Sequence, residues 1–318
     1  MPWQQRELTE SKWHGQLVLS FDGALSELEG ALPTFSRKKL TYGPALNEYL
    51  DLILREPVPG DEREVPVATV SKRYALIQHR EAVRWIVSAF EQMKWNPAKL
   101  PMQALISDYG ERMRAAVQIP TDAVDPGDSY ELYAEVLLWN SVDRSRAFEL
   151  AIRWKRLVCK NGLTISNEDR MRKIHNVDWM ASESPSDFLT DRLPASRNRM
   201  VEIGQWLNVH LEENRLIEWA NHDVTKQWGI IRAARLVHVH RTGRDCAVGK
   251  PREGKRASQV EVVPGIAVPG ARAPVGNAYH AYQALLWITN AEHSIDMQEE
   301  LLGDVIGLMR PLLPSNVS

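Results

Sequence analysis

Apolar residues recur along this chain with two periods, and the switches between them mark its elements. Val65 to Gln78 alternates and is rich in Val, Thr and Tyr, the period of a strand with one buried face. Arg80 to Lys94 changes to the helical period, with Ala82, Val83, Ile86, Val87 and Phe90 on one face, and Asn96-Pro97 ends it. Three more strands are predicted at Ile106 to Ile119, Tyr130 to Trp139 and Ala147 to Cys159. They are separated by Pro120 to Asp128, with its Asp125-Pro126-Gly127, and by Asn140 to Arg146. A strand and a helix followed by a curved, three-stranded antiparallel meander make the expected class α+β. Upstream, Tyr42 to Arg55 reads as a short helix closed by Pro57, Pro59 and Gly60.

Beyond Asn161-Gly162 the pattern turns helical. Ser182 to Ser196, punctuated by Pro185 and Pro194, reads as a linker. Met200 to His222 then reads as one long helix carrying Trp206, Leu207, Leu211, Ile217 and Trp219. Residues 241–276 hold 6 Gly and 4 Pro, the composition of a long flexible loop. Two helices, Ala278 to Ala291 and Ile295 to Arg310, close the chain, the second striped by Leu301, Leu302, Val305, Leu308 and Met309. The organisation expected is an accessory segment (1–64), an α+β core (65–180), a linker and helical region (181–240), a basic loop (241–276) and C-terminal helices (277–318).

Charge sharpens this division. The 318 residues carry 39 Lys and Arg against 41 Asp and Glu, a net of -2 that advertises no polyanion partner. Segment by segment, however, residues 65–160 are net +3 and residues 223–276 net +6, set among acidic stretches. Only 2 cysteines, Cys159 and Cys246, exclude a disulfide framework and fit a reducing compartment. With no secretory signal and no run of 18 apolar residues, a cytoplasmic protein without membrane contact is expected. The 11 Trp against 5 Phe suit cores, interfaces and base stacking alike.

Two groups of cations are candidates for binding. On the meander, Arg112 and Arg114 share one strand face, as do Arg153 and Lys155, while Phe148, Leu150, Ile152 and Trp154 form the opposite face, suited to a helix layer. With Lys72, Arg73 and Arg156 these cations suit a row of phosphates, with Tyr133 as a stacking residue; Trp139 fits core better. The alternative is that Glu131 and Glu135 on the intervening strand neutralise the arginines. The second group is Arg232, Arg235, Arg241, Arg244, Lys250, Arg252, Lys255 and Arg256, which either wraps a polyanion or is simply solvated. His238-x-His240 would share a strand face, but no Cys, Asp or Glu completes a metal spacing, so neither metal nor cofactor is expected. Cys159 has no sequence-adjacent His, and Asp122, Asp125 and Asp128 flank a turn. Phosphate-binding, serine-elbow and zinc-protease motifs are missing from the sequence.

The strings Tyr74-Ala-Leu-Ile-Gln78-His79-Arg-Glu81, Gly110-Glu-Arg112-Met-Arg114, Gly127-Asp128, Asn140-Ser141-Val142-Asp143-Arg-Ser145 and Arg156-Leu157-Val158-Cys159-Lys-Asn161-Gly162-Leu163 form a recognisable set. In this order they resemble the phage and plasmid-like family known as domain of unknown function 932. Arg172-Lys-Ile-His175-Asn176, Asn277 to Tyr282 and Asn290 to His293 resemble its downstream blocks, so the resemblance spans about residues 65 to 295. It implies residence on a mobile element. At fold level the meander is also similar to ring-forming single-strand annealing proteins, which implies an oligomer with cations along a groove. The reading expected is a cofactor-free, homo-oligomeric protein that binds or anneals single-stranded DNA. The alternatives are a non-enzymatic anti-defence protein that binds a host protein through acidic helices or tryptophans, and an enzyme assembled from residues such as Asp143, Cys159 and His175.

Overall fold

Among the described residues, ten strands occupy the first two thirds of the chain. In order these are β1 (Gln4–Gln5), β2 (Val18–Ala24), β3 (Phe35–Tyr42), β4 (Ala45–Arg55), β5 (Val65–Ser71), β6 (Pro101–Ser107), β7 (Arg112–Val124), β8 (Leu132–Ser141), β9 (Phe148–Arg156) and β10 (Arg170–Lys173). The computed structural model describes residues 4–5, 18–127, 131–156, 169–176, 184–268, 271–292 and 294–314. Cys159 and Lys160 lie outside them. Two units interleave in sequence: Met1–Asp122, Ala134–Arg153 and Glu168–Ser196 form one, and Ala123–Tyr133, Trp154–Asn167 and Arg197–Ser318 the other. The class is α+β with antiparallel sheets, as the periodicity predicts.

In the first unit the main sheet has the order β1-β2-β6-β7-β8-β9-β10. The predicted meander is therefore the centre of a wider sheet, extended by β6, β2 and β10. Alternation along β7 buries Met113, Ala115, Val117 and Ile119 completely and leaves Arg112 and Arg114 on a half-buried face. Helix α2 (His79–Gln92) buries Ala82, Val83, Ile86 and Phe90 as its pattern requires. Its Trp85 meets Phe148 of β9 edge to face at 5.4 Å, so the apolar side of the sheet does face a helix. Helix α1 (Leu25–Ala31) packs beside α2.

Two readings in this unit are corrected. The expected single strand at Ile106 to Ile119 is two strands, β6 and β7, folded at Gly110, whose φ of +76° and bond to Ser107 O at 2.8 Å make a turn. The helix expected over Tyr42 to Arg55 is strand β4. Leu46, Leu50, Ile53 and Leu54 satisfy a helical spacing, but β3 and β5 pair with β4 on both sides (Lys38↔Leu52, Leu52↔Thr69) and tertiary pairing overrides the local pattern. This three-stranded sheet rests on a cluster of Phe35, Ile53, Val70, Tyr74 and Val142. The far end of its first hairpin is solvated: Tyr42 is 91% exposed and Tyr49 77%.

The second unit is mainly helical. Helix α3 (Pro185–Gly204), whose residues to Ser196 count with the first unit, replaces the expected linker. Pro185 sits at its first position, where no donor is needed, and the Ser184 hydroxyl accepts from Asp187 N at 3.1 Å. Pro194 lies inside the helix, which continues because Phe188, Leu189, Leu193, Met200 and Ile203 form a buried helical stripe. The single helix expected over Met200 to His222 is likewise broken: α3 ends at Gly204, and α4 (Glu213–Trp219) follows after a turn, running through a π-turn at Ala220–Val224 into α5 (Thr225–Trp228). Gly204 ends α3 where a Cβ would stand 2.5 Å from Pro126 O.

Helix α6 (Ile230–Thr242) carries His238 and His240, so the two imidazoles expected on one strand face diverge by a helical step. His240 is buried and accepts from Val275 N at 3.2 Å. The Gly/Pro-rich segment expected to be a flexible loop is a β-hairpin, β11 (Arg244–Val248) with β12 (Val262–Ala267). Its glycines serve the hairpin: at Gly265 the backbone of Asp245 approaches to 3.1 Å of where a Cβ would stand. The closing helices α7 (Ala278–Asn290) and α8 (Ile295–Met309) fall where predicted. Trp219 donates to Leu308 O at 2.8 Å and Trp228 to Asp304 at 3.2 Å, so these tryptophans serve the core with their N–H groups satisfied. No described helix is long and apolar enough to cross a membrane.

Candidate nucleic-acid interface

The meander cations are engaged with neighbours in the sheet. Arg153 on β9 pairs through Nε with Glu135 of β8 at 2.7 Å, with side chains 12% and 6% exposed. Arg112 on β7 pairs with Asp143 at 2.7 Å and is equally enclosed. Arg114 is half-buried, its guanidinium carbon 6.0 Å from the Trp139 ring centroid; Arg146 lies over the same ring at 4.7 Å. Lys155 is half-buried, and Arg156 ends β9 with its side chain outside the described residues. For Arg153 the carboxylate pairing weighed from the sequence is the arrangement found. Tyr133 is half-buried, its hydroxyl donating to Glu131, and Trp139 is fully buried.

Lys72 and Arg73 follow β5. Lys72 contacts Asp51, which also holds Arg37 at 2.7 Å, and its backbone N–H donates to Tyr49 O at 3.1 Å. That bond sets the exposed Tyr49 beside Lys72; Arg73 is exposed and forms no ion pair among the described residues. Lys39, on β3, is exposed and forms no ion pair among the described residues. The aromatic neighbours of these cations went unseen in the sequence, because the segment that carries them was expected to be a helix.

In the second unit the cations before the hairpin are also neutralised. Arg235 grips Asp245 with two bonds of 3.0 and 2.7 Å, and Arg232 takes Glu292 at 2.8 Å. Arg241 lies 3.4 Å from Glu213, and Arg244 donates to Gly265 O across the hairpin at 2.7 Å. At the hairpin tip, Arg256 pairs with Glu218 at 2.9 Å and Ser258 N donates to Asn221 at 3.0 Å, anchoring the tip to the α4 region. Lys250, Arg252 and Lys255 remain exposed, with no ion pair among the described residues. All three line one recess of about 120 Å³ together with Glu261, its only acidic residue. The sequence brought these cations together only as a charge count; the turn brings their side chains to one spot.

The residues that carried the resemblance converge as well. His79 Nε2 donates to Gly110 O at 2.8 Å while Nδ1 accepts from the Asn140 amide at 2.9 Å, and Asn140 also donates to Ile77 O at 3.0 Å. Gln78 bonds the backbone of Phe35 in both directions at 3.1 and 2.7 Å. The Tyr74 hydroxyl lies 3.1 Å from Ser141 O and 2.9 Å from His175 Nδ1, and the two rings stack at 5.3 Å. Asp143 binds Arg112 on one oxygen and Ser145 N and Oγ on the other, at 2.9 and 2.6 Å, closing the turn in which Arg144 has a φ of +67°. Burial holds both His79 and His175 near a pKa of about 4, and pushes the Tyr74 phenol up. Hydrogen bonds thus join the start of α2, the β6 to β7 turn, the end of β8 and the residues after β10.

Comparison with known families matches residues 66–234, just over half of the chain, to the domain of unknown function DUF932. The chain belongs to the DUF932 family. No curated protein and no solved structure gives a match. The DUF932 match covers the buried hydrogen-bonded cluster and ends within α6, so the basic hairpin and the blocks at Asn277 to His293 lie beyond it. Within the DUF932 region, Asp143 and His175 are committed to Arg112 and Tyr74, while Cys159 lies outside the described residues. No group of three potential metal ligands stands together among the described residues.

Proposed function

We propose that this protein binds single-stranded DNA through its phosphate backbone, without sequence preference, and that the tip of the β11 to β12 hairpin is a principal contact. The observation that carries the reading is the trio Lys250, Arg252 and Lys255, unpaired around one recess on an anchored turn. A solvated cation with no carboxylate partner keeps its counterions until a polyanion displaces them, and their release drives binding. Exposed Tyr42 and Tyr49, the latter beside Lys72, supply the flat surfaces that unstacked bases need and that duplex bases cannot reach. This favours single strands. The annealing part of the reading rests on the fold-level similarity alone and calls for an oligomer.

Fluorescence-anisotropy titration with single- and double-stranded oligonucleotides at two salt concentrations tests the proposal. The expected outcome is tighter single-strand binding that weakens steeply with salt. Equal affinity for both forms removes the single-strand assignment, and no binding near 0.15 M salt overturns the reading. Mass photometry is expected to return an oligomer; a monomer at working concentration removes annealing while leaving strand binding intact.

A further inference from the structure

A cleft of about 420 Å³ opens in the first unit between the end of α1, the Pro57 to Asp61 turn and the β6 to β7 turn. Its walls are apolar, built from Leu19, Leu32, Pro33, Pro57 and Ile106, with Tyr109 at the rim. Volume and lining are those of a small-molecule pocket with a few fixed polar groups. Those groups are two arginines and two aspartates. Arg55 is only 6% exposed; its Nη2 donates to Asp61 at 2.6 Å, and its Nε is buried with no hydrogen-bond partner among the described residues. Asp61 is shared with Arg63, whose Nε lies at 2.8 Å. Arg80 gives Nε and Nη2 to Leu32 O at 3.2 and 2.8 Å and has no carboxylate partner among the described residues. Asp108, the other acid, is exposed. Two guanidinium groups and two carboxylates thus line the cleft, but Asp61 is already shared with Arg63 outside it, and a buried Arg55 donor is left open.

We propose that this cleft binds a small amphipathic organic anion. Its ring-sized apolar body lies between Pro33, Pro57 and Ile106, and its carboxylate, sulfonate or phosphate head meets Arg80 and Arg55. The proposal is independent of DNA binding, since neither the β11 to β12 hairpin nor Tyr42 and Tyr49 line the cleft.

Anilinonaphthalene sulfonate, a flat apolar fluorophore with one anionic head, is the probe, titrated into the intact chain. One saturable site with blue-shifted emission is expected, and non-saturating binding overturns the proposal. Gly30 lines the cleft at an exposed position of α1, and a Cβ there meets nothing within 4 Å. Gly30→Phe therefore starts a ring from open space at the cleft, and the helix prefers Phe to Gly, so the melting temperature is expected to hold or rise. Binding of the probe should be lost; binding that survives in this variant overturns the assignment. Arg80→Gln should weaken the probe about tenfold, the cost of a charge-assisted hydrogen bond. The uncharged analogue prodan should still bind this variant as it binds the wild type, which separates a lost head contact from a damaged fold. Equal binding of the sulfonate to both proteins overturns the role given to the anionic head.

Discussion

The sheet arginines and the hairpin-tip cations look alike in the sequence and differ in the one property that matters for binding. Arg112 and Arg153 interleave with core positions on strands, so folding draws their guanidinium groups out of water, and each meets a carboxylate, Asp143 or Glu135. Leaving either cation buried and unpaired would cost several kcal/mol. Lys250, Arg252 and Lys255 sit at a turn, where solvent carries the charge and no partner is required. Cations on a strand face are therefore evidence about the fold, whereas unpaired cations gathered at an anchored turn are evidence about what the protein meets.

Acid should separate the two regions most strongly. His79 and His175 belong to the sheet unit and are held neutral to about pH 4 by burial, against about 6.5 when exposed. The unfolded chain binds more protons in that window, so stability is full above about pH 6.5 and falls as pH drops toward 4, by about 3 kcal/mol for each histidine. Urea unfolding at pH 7 and pH 5 measures the loss, and His79→Gln should flatten the dependence. An unchanged slope in that variant would mean that His79 is not the group being protonated. Neither histidine belongs to the hairpin, so DNA affinity per folded molecule should not fall with it.

Arg153→Ala comes next, because it breaks the enclosed ion pair with Glu135. A loss of about 3–5 kcal/mol of stability is expected by denaturant unfolding, with no change in the salt dependence of DNA binding. A lowered salt slope with unchanged stability would reverse the comparison and make the sheet the phosphate-binding surface.

The sequence exposed this contrast only in part. The α2 face, the β7 and β9 alternation and the C-terminal helices could be read directly, because there local period and tertiary burial agree. Strand β4 could not, since Leu46, Leu50, Ile53 and Leu54 fit a helix equally well until β3 and β5 are present. Pro194 hid the buried stripe of α3, and 6 Gly and 4 Pro hid a hairpin whose backbone needs several of them. The site divides similarly. Glu135 as a partner of Arg153 follows from strand alternation, but Asp143 as a partner of Arg112 and the gathering of Lys250, Arg252 and Lys255 depend on turn geometry that no periodicity encodes.

Replacing Lys250, Arg252 and Lys255 together with Ala tests the hairpin itself. Three lost phosphate contacts should lower the single-strand salt slope by about 2 and weaken binding by about 1–2 kcal/mol at moderate salt. Stability should stay within about 0.5 kcal/mol, as the three side chains are exposed and form no ion pair among the described residues. An affinity equal to wild type would show that the recess does not meet DNA.

The smallest effect is expected at Tyr42, and it bears on whether the first unit contributes at all. At 91% exposure the ring holds nothing in place, so Tyr42→Ala should leave the unfolding midpoint unchanged. If unstacked bases lie on it, single-strand affinity should fall by about 1 kcal/mol, the low end for a base on an aromatic platform, and duplex affinity not at all. The salt slope should be untouched, because no charge is removed. Anisotropy titrations of the two oligonucleotide forms read all three quantities. Equal weakening of both forms would assign the tyrosine a backbone contact instead of a stack, and no weakening would confine DNA recognition to the hairpin of the second unit.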